Sequence, residues 1–266
     1  MRTRKKIEDM SYVELMAFLE ETNRPPGGKS SIREVVQNCF INNKSNVLDV
    51  GCNTGYCTFE IAHLSKCTIT GIDISKEMIS TAKELLKKDK TPGKIKFIVG
   101  DAQKLSFSDG VFDVVFSGGS TAFVDDKETA LKEYARVIKT WGFVADINFF
   151  YRETPPINLI ESLNDMMGIK IEPWDKDYWL NIYEKVGLEE YLTINKSISS
   201  VSDDEIKKYS SLMTMGKSLD TVEEDVLKNR LIKIMSLFNE NHKYLSYGIF
   251  ISRKRPNEEQ VTLFGS

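Results

Sequence analysis

Residues 46–56 read Asn-Val-Leu-Asp-Val-Gly-Cys-Asn-Thr-Gly-Tyr, and this stretch decides the fold. A short apolar strand contains Asp49 close to its end and leads into a turn that contains Gly51 and Gly55. Glycine lets the backbone approach a ligand and adopt a positive φ, and Asn53 also tolerates the left-handed region. The helix that follows would point its first N–H groups at the ligand. We therefore expect a charged nucleoside to bind at this turn.

The spacing of the turn excludes the most common rival, a dinucleotide fingerprint. A G-x-G-x-x-G motif that starts at Gly51 needs glycines at the positions of Asn53 and Tyr56. A nicotinamide or flavin site is therefore not expected here.

The following segments predict further strands that end in polar turns. Thr68–Asp73 is a β-branched run that ends in Asp73, and Ser75 is a suitable cap for the next helix. In a doubly wound sheet the carboxyl ends of the strands form the ligand crevice, where a carboxylate can accept two hydrogen bonds from a ribose diol. Two more predicted strands end in the same way: Ile95–Gly100 before Asp101-Ala102-Gln103, and Val111–Phe116 before Ser117-Gly118-Gly119-Ser120.

Helices and strands alternate along the chain, which predicts an α/β fold with a parallel sheet. Predicted helices cover Ser11–Glu21, Ile32–Phe40, Tyr56–Leu64, Lys76–Lys88, Asp126–Lys139, Ile157–Met167, Asp175–Val186 and most of Ser202–Glu240; the later strands are Gly142–Tyr151, Leu192–Ser199 and Tyr244–Arg253. We expect a single domain over 1–266, with an N-terminal helical cap segment at 1–44, a core at 45–151, a helical cap with one strand at 152–241, the last strand at 242–254 and a loose tail at 255–266.

Composition narrows the function class. The chain carries 36 basic and 39 acidic residues, so it lacks the overall basic field of a dedicated nucleic-acid binder. Its basic cluster, Arg2-Thr3-Arg4-Lys5-Lys6, is predicted to be a solvated tail. The four cysteines show no C-x-x-C spacing, which predicts buried thiols and no metal site. No stretch is long enough for a membrane span and no signal core follows the N-terminal charges, so we expect a cytoplasmic protein.

Over residues 45–150 the chain resembles the class I S-adenosylmethionine-dependent methyltransferases, in particular the branch of the ubiquinone and menaquinone biosynthesis enzymes. The motifs that carry the resemblance are Asp49 to Gly55, Gly71 to Ser75, Gly100 to Phe107, Phe112 to Val115 and Glu133 to Lys139, in family order. There are two departures from the family pattern. Asn53 replaces the middle glycine of the first turn, and Trp141 replaces the first glycine of a pair before the fifth strand.

The resemblance implies a Rossmann-like, doubly wound, mostly parallel seven-stranded sheet with an antiparallel last strand and helical insertions. It also implies S-adenosylmethionine as cofactor. Asp49 and the backbone of Gly51 to Gly55, which includes Cys52 and Asn53, would hold the methionine end. Asp73 would bind the ribose hydroxyls, and Asp101 and Ala102 would border the adenine. Ile74, Gln103 and Ser117 are further expected cofactor-binding residues. We expect the ligand to be the partner of the Asp73 carboxylate.

The loop Arg24–Lys29 has two readings. A Pro-stiffened, Gly-hinged loop with cations could close on the methionine carboxylate, which makes Lys29 a candidate cofactor ligand. The alternative is a turn that ends a helix, which proline and glycine explain without a ligand.

The region after the fifth strand is rich in aromatic residues and methionines: Phe149, Phe150, Tyr151, Met166, Met167, Trp174, Tyr178, Trp179, Tyr183, Met213 and Met215. These suit a pocket for a small apolar or aromatic methyl acceptor, although ordinary helix packing explains them as well. The catalytic residue is left open, with Asn148 and His242 as candidates. Asp146, on the same strand as Asn148, is also considered for a polar role at the acceptor. In the family that the chain resembles, the tripeptide Asn-Pro-Pro after the fourth strand marks many enzymes that methylate amino groups of bases and glutamine. The chain has Ser117-Gly118-Gly119-Ser120 there, so the resemblance argues against methylation of bases and amides.

Two other functions stay open. One is methylation of RNA or protein, and the other is a non-catalytic module that binds S-adenosylmethionine. The resemblance implies that residues 202–240 are an insertion, which would cover the crevice or form a homodimer contact; the alternative is that this segment only adds to the core.

Overall fold

The computed structural model describes residues 6–19, 24–90 and 94–256, and it contains one seven-stranded sheet. The strands are β1 Asn46–Val50, β2 Thr68–Asp73, β3 Lys94–Val99, β4 Phe112–Ser117, β5 Ile138–Tyr151, β6 Leu188–Ser197 and β7 Leu245–Lys254. Their order is β3-β2-β1-β4-β5-β7-β6, with β3, β2, β1, β4 and β5 parallel and the last strand antiparallel. The predicted fold class is confirmed.

Helices connect the strands. They are α1 Tyr12–Phe18, α2 Gly28–Asn38, α3 Tyr56–Ser65, α4 Lys76–Lys88, α5 Lys127–Val137, α6 Ile157–Met167, α7 Lys176–Lys185, α8 Asp203–Thr214 and α9 Thr221–His242, with short 3-10 turns at Ile7–Asp9 and Ser120–Phe123. Helix α2 begins four residues before its predicted start. Its N-cap is Gly27 in a left-handed conformation, so the Pro-Gly turn starts this helix directly.

Strand β5 is also longer than predicted, because it begins at Ile138 and not at Gly142. Its register with β4 shifts between Phe112 and Val114, and Trp141 takes a φ of 65° beside this irregularity. The family glycine that Trp141 replaces would adopt such an angle freely. The indole is half exposed, and the Arg253 guanidinium lies 4.9 Å from its ring centre. Trp141, whose backbone is left-handed, therefore makes a cation–π contact with Arg253.

The first of two compact units, the sheet unit, comprises the described residues of Asn23–Phe149, Lys176–Asn195 and Tyr247–Ser266. One of its apolar clusters packs α2 and α3 onto the sheet, with Ile32, Ile61, Val114 and Ile249 fully or almost fully buried. A smaller cluster packs α4 against β3 through Ile79 and Phe97. All four cysteines are buried and reduced, as predicted.

The second, the helical unit, comprises the described residues of Met1–Thr22, Phe150–Asp175 and Lys196–Ser246. Leu15 of α1 packs with Leu227 and Leu231 of α9 in one apolar cluster. Leu163 of α6 is buried in a second apolar cluster. The predicted basic tail at 2–6, apart from Lys6, the end of the first predicted helix and most of the predicted C-terminal tail lie outside the described residues. Among the helices that are described, none combines the length and the apolar character that crossing a bilayer requires.

Candidate cofactor site at the carboxyl edge of the sheet

In the turn between β1 and α3, every second residue from Gly51 to Gly55 has a left-handed backbone conformation. Gly51 has a φ of 69°, Asn53 of 50° and Gly55 of 95°. Asn53 therefore occupies the conformation that the missing glycine would have, as predicted. The backbone N–H of Cys52 donates to the Ile72 carbonyl at 2.9 Å, which ties the turn to the neighbouring strand β2.

Asp73 is the second anchor of this turn. Its Oδ2 accepts the Asn53 N–H and its Oδ1 accepts the Ser75 N–H, both at 2.9 Å. We expected the ligand to be the partner of the Asp73 carboxylate, but two backbone amides of the protein also donate hydrogen bonds to it. Each carboxylate oxygen keeps one lone-pair direction, so two ribose hydroxyls can still donate to it.

Asp49 lies beneath the turn at the end of β1. Its carboxyl is buried, and Oδ2 accepts a hydrogen bond of 2.5 Å from the Thr58 hydroxyl on α3. Burial raises the pKa of Asp49 to about 7, against the lowering effect of the Thr58 hydrogen bond. A cation bound nearby would favour the ionised form. Its contact with the methionine end stays a prediction.

Apolar side chains flank Asp73 on the side predicted for adenine. Ile74, directly after β2, is 73% exposed, and Val99, the last residue of β3, is 47% exposed. Asp101 accepts the Gln103 N–H at 2.9 Å, and this bond shapes the turn that contains Ala102. Two exposed aliphatic side chains beside a polar turn fit a purine, which has apolar faces and a polar edge. Sequence reasoning missed Val99, whose only signal was its place at the end of the strand.

The turn after β4 interlocks with the turn after β1. The hydroxyls of Ser117 and Ser120 lie 3.0 Å apart, and Ser120 Oγ donates to the Val50 carbonyl at 2.6 Å. A Cβ added to Gly51 would lie 2.2 Å from Ser120 Cβ. Ser117 is buried and also receives the Thr121 hydroxyl at 2.9 Å. Ser117 is thus placed to shape this edge, and Ser120, which the sequence did not single out, shares that task.

The loop before α2 lies over the turn after β4. A Cβ on Gly118 would lie 3.4 Å from Pro25 Cβ, and one on Gly119 would lie 3.8 Å from Pro26 Cδ. The two prolines therefore cover the two glycines. This proximity favours the reading in which the loop borders the cofactor crevice.

The charged ends of that loop have protein partners. Lys29 Nζ lies 2.8 Å from Glu60 Oε2 on α3, and its side chain is 60% exposed. The Arg24 guanidinium lies 5.6 Å from the centre of the Tyr56 ring. Both cations tie the loop to α3, and the role of Lys29 as a cofactor ligand stays a prediction.

The two candidate catalytic residues belong to different units. Asn148, on β5 in the sheet unit, is buried and its Nδ2 donates to the Tyr183 hydroxyl at 3.3 Å. His242 ends α9 in the helical unit, where Nδ1 is buried with no hydrogen-bond partner among the described residues and burial lowers the pKa of the ring. Trp179, weighed above as a pocket residue, is fully buried between Tyr183 and Phe250, so it belongs to the core.

Comparisons with known proteins find matches over the same part of the chain. The family described as "Methyltransferase domain" matches residues 48–145, the span from β1 into β5 that carries both turns and Asp73. The chain carries a class I S-adenosylmethionine-dependent methyltransferase domain over this span. It is an enzyme of that class, and S-adenosylmethionine is its cofactor.

Individual relatives share parts of this methyltransferase. It is 40% identical to the 2-methyl-6-phytyl-1,4-hydroquinone methyltransferase of Synechocystis sp. over 140 residues, which are 52% of this chain and 42% of that relative. The chain therefore spans less than half of the length of this curated relative.

Two solved structures extend the likeness beyond the core. The MccD protein matches with a TM-score of 0.80 and 29% identity over 88% of this chain and 100% of that one. The geranyl diphosphate C-methyltransferase of Streptomyces coelicolor A3(2), bound to Mg²⁺, geranyl diphosphate and S-adenosyl-L-homocysteine, matches with a TM-score of 0.62 and 12% identity over 85% and 77%. At that identity the second likeness concerns the fold alone.

The residues of the methyltransferase fit the cofactor. Asp73 offers paired acceptors for the ribose, Ile74 and Val99 offer an apolar surface for the adenine, and Asp49 places an acid beneath the turn. When bound, the cofactor supplies an electrophilic methyl group on a sulfonium. Within the described residues, no group of three or more His, Cys, Asp or Glu side chains is arranged to hold a metal ion.

Proposed function

We propose that the enzyme methylates a small molecule with an apolar or aromatic body. The observation that carries this proposal is a pair of exposed phenylalanines at the cofactor edge. Phe123 closes the 3-10 turn that follows β4 and is 67% exposed, and Phe149 lies near the end of β5 and is 47% exposed. Exposed aromatic rings at a ligand-binding edge are suited to bind an apolar partner.

The backbone behind Phe149 is held rigidly. The indole N–H of Trp179 donates to the Phe149 carbonyl at 3.1 Å, and Trp179 is itself fully buried. The core tryptophan thus fixes the position from which the Phe149 ring projects. Methyl transfer needs accurate placement and desolvation of the acceptor more than a dedicated catalytic group, because the sulfonium already carries a good leaving group.

The relatives support this acceptor class. The curated relative described above is named for a hydroquinone, an aromatic ring with apolar substituents, and a second relative, 34% identical over 104 residues, is named an O-methyltransferase. Methylation of RNA or protein and binding without catalysis are the outcomes that would replace the proposal. The formal net charge of −3 does not favour a nucleic-acid substrate.

The test is incubation with methyl-labelled S-adenosylmethionine and fractionated cell metabolites. The expected result is one labelled small molecule with an aromatic or long apolar body, identified by mass. Cofactor binding without any labelled product would indicate a non-catalytic module, and label found only in RNA or protein would indicate the other alternative.

Replacing Phe123 and Phe149 together with Ala should raise the KM for that molecule at least about tenfold, because each buried phenylalanine contributes about 1.5–3 kcal/mol. The Kd for S-adenosylmethionine should stay within about twofold, since neither ring is assigned to the cofactor. Phe40→Ala is the matched control. Phe40 is also exposed, at 64%, but it precedes β1 at the opposite edge of the sheet. An equal rise in KM for the control would contradict the assignment.

We further propose that the enzyme is cytoplasmic and forms a homodimer through the 202–240 insertion. Large apolar side chains of this segment are exposed: Leu212 at 58%, Met215 at 68% and Val222 at 72%. Exposed apolar side chains of this kind are suited to contact a second copy. Sedimentation velocity should show a dimer that Leu212→Glu with Met215→Glu converts to a monomer; a monomeric wild type would contradict the proposal.

A further inference from the structure

Two buried acceptor atoms on β5 have no partner. Asp146 and Asn148 are at most 1% exposed, and neither Asp146 Oδ1 nor Asn148 Oδ1 has a hydrogen-bond partner among the described residues. Residues two apart on a strand point to the same face, so the two side chains are neighbours. Buried polar atoms are nearly always hydrogen-bonded in folded proteins, and a pair of unpaired acceptors therefore needs an explanation.

The remaining hydrogen bonds of this cluster are already in use. The Tyr183 hydroxyl on α7 donates to Asp146 Oδ2 at 3.0 Å and accepts from Asn148 Nδ2 at 3.3 Å. Tyr183 has one proton, so it cannot also serve Asp146 Oδ1. The Thr121 hydroxyl donates to Ser117 Oγ at 2.9 Å. The side chains of Thr121 and Ser117 lie near enough to lower the pKa of Asp146, yet neither makes a hydrogen bond to Oδ1.

Among the described residues, the titratable groups that face Asp146 are two tyrosines. Tyr183 comes from α7, and Tyr134 comes from α5, where its hydroxyl is buried without a partner among the described residues. Burial raises the pKa of both hydroxyls, and the Asp146 carboxylate raises it further. At neutral pH both tyrosines are uncharged, so neither neutralises Asp146.

The cluster lies at the level of the cofactor turn. Asp146 pairs with Ser117, the last residue of β4, and Ser117 pairs with Val50, the last residue of β1. Asn148 lies two residues further toward the carboxyl edge. The unpaired oxygens therefore stand at the edge that carries the turn from Gly51 to Gly55.

We propose that Asp146 and Asn148 bind a hydroxyl or protonated amine of the methyl acceptor, and that Asp146 accepts its proton. Both unpaired atoms only accept hydrogen bonds, so the group that satisfies them must donate. The inference rests on the proposed function and adds the chemical class of the reacting group. Tyr183 is the positioning residue, because it holds the carboxylate through Oδ2 and leaves Oδ1 to the acceptor.

The step balances without another reactant. The oxygen or nitrogen of the acceptor forms a bond to the methyl carbon, the bond from that carbon to sulfur breaks, and its electron pair stays on sulfur. The O–H or N–H bond breaks and the proton goes to Asp146 Oδ1. Burial raises the pKa of Asp146 to about 6, so the carboxylate is mostly ionised at pH 7 and is a stronger base than an exposed one.

The experiment uses methyl-labelled S-adenosylmethionine and the metabolite fraction that the wild type labels most strongly. Asp146→Asn should lower the labelling rate at least about a hundredfold, which is the usual size of a general-base effect. The Kd for S-adenosylmethionine should stay within about twofold. Glu190→Gln, which neutralises an exposed acid on β6, is the matched control and should leave the rate unchanged.

The pH profile separates a base from a structural residue. Wild-type activity should rise with pH, with a midpoint of about 6, as Asp146 loses its proton. Tyr183→Phe removes a hydrogen bond that favours the carboxylate. The midpoint of the pH–activity profile of this variant should therefore lie about one pH unit or more above that of the wild type. Asp146 has a higher pKa in the folded protein than unfolded, so its ionisation destabilises the fold as pH rises from about 4 past about 6. Asp146→Asn should therefore melt no lower than the wild type at pH 8.

The outcomes are distinct. A wild type that labels nothing would overturn the proposed function itself. This inference alone would be overturned if the wild type is active and the labelling rate of Asp146→Asn lies within about threefold of the wild-type rate. A lower rate that is fully explained by weaker cofactor binding would overturn it as well. If Asp146→Asn does not fold, Tyr183→Phe decides, and an unchanged pH midpoint would overturn the inference.

Discussion

Replacing Asp73 with Ala is expected to raise the Kd for S-adenosylmethionine and S-adenosylhomocysteine at least about tenfold. The ribose hydroxyls would lose a charged acceptor, and each such hydrogen bond contributes about 1.5–3 kcal/mol. The substitution also frees the N–H groups of Asn53 and Ser75, so part of the effect would come from a looser turn. Calorimetric titration measures the Kd, and circular dichroism checks the fold.

Asp113→Ala is the matched control for this experiment. Asp113 also accepts a backbone amide, the Asn46 N–H at 2.7 Å, and it pairs with Lys139, but it lies at the opposite edge of the sheet. The control should lose some stability and keep its cofactor affinity. Wild-type affinity in a folded Asp73→Ala protein would contradict the ribose assignment, and a wild type that binds neither nucleoside would contradict the cofactor.

Gly51→Ala is expected to destabilise the sheet unit by at least about 2 kcal/mol and to weaken cofactor binding. A left-handed conformation costs an L-residue about 1–2 kcal/mol, and Gly51 has a φ of 69°. The added Cβ would also lie 2.2 Å from Ser120 Cβ, so one of the two interlocked turns must move. Denaturant unfolding measures the loss of stability.

Gly110→Ala isolates the backbone part of that loss. Gly110 has a φ of 65°, but a Cβ there meets nothing within 4 Å among the described residues. The Gly110→Ala substitution should cost about 1 kcal/mol. Adding Ser120→Gly to Gly51→Ala removes the steric clash but also the hydrogen bond from Ser120 to Val50, so it should restore only part of the difference between the two single variants. If Gly51→Ala proves no worse than Gly110→Ala, the interlock of the turns does not matter for stability.

The sequence predicted the features that depend on neighbours along the chain. The strand that leads to Asp49, the left-handed Asn53 and the helix cap at Ser75 follow from local rules, and the structure has all three. The start of β5 was missed because Trp141 adopts an angle that pattern reasoning assigns to glycine. The register between β4 and β5 then shifts between Phe112 and Val114, so β5 pairs with β4 from Ile138 onward.

The residues that were missed depend on distant partners. Helical spacing alone does not say which side of a helix meets the core, so Trp179 could not be told from a pocket residue. Ser120 matters only because its hydroxyl reaches Val50. Likewise, the cluster of Asp146 and Tyr183 joins residues far apart in sequence, which only the sheet register and the placement of α7 bring together.

The turn after β1 keeps its shape with bonds from its own chain. The amides of Cys52, Asn53, Thr54 and Gly55 each donate to an oxygen of the protein. Little conformational entropy is then lost when the nucleoside arrives, and a preorganised site spends less of its contact energy on ordering. S-adenosylhomocysteine and S-adenosylmethionine would therefore bind to the same conformation of the turn. Their exchange between catalytic cycles does not require this segment to rearrange.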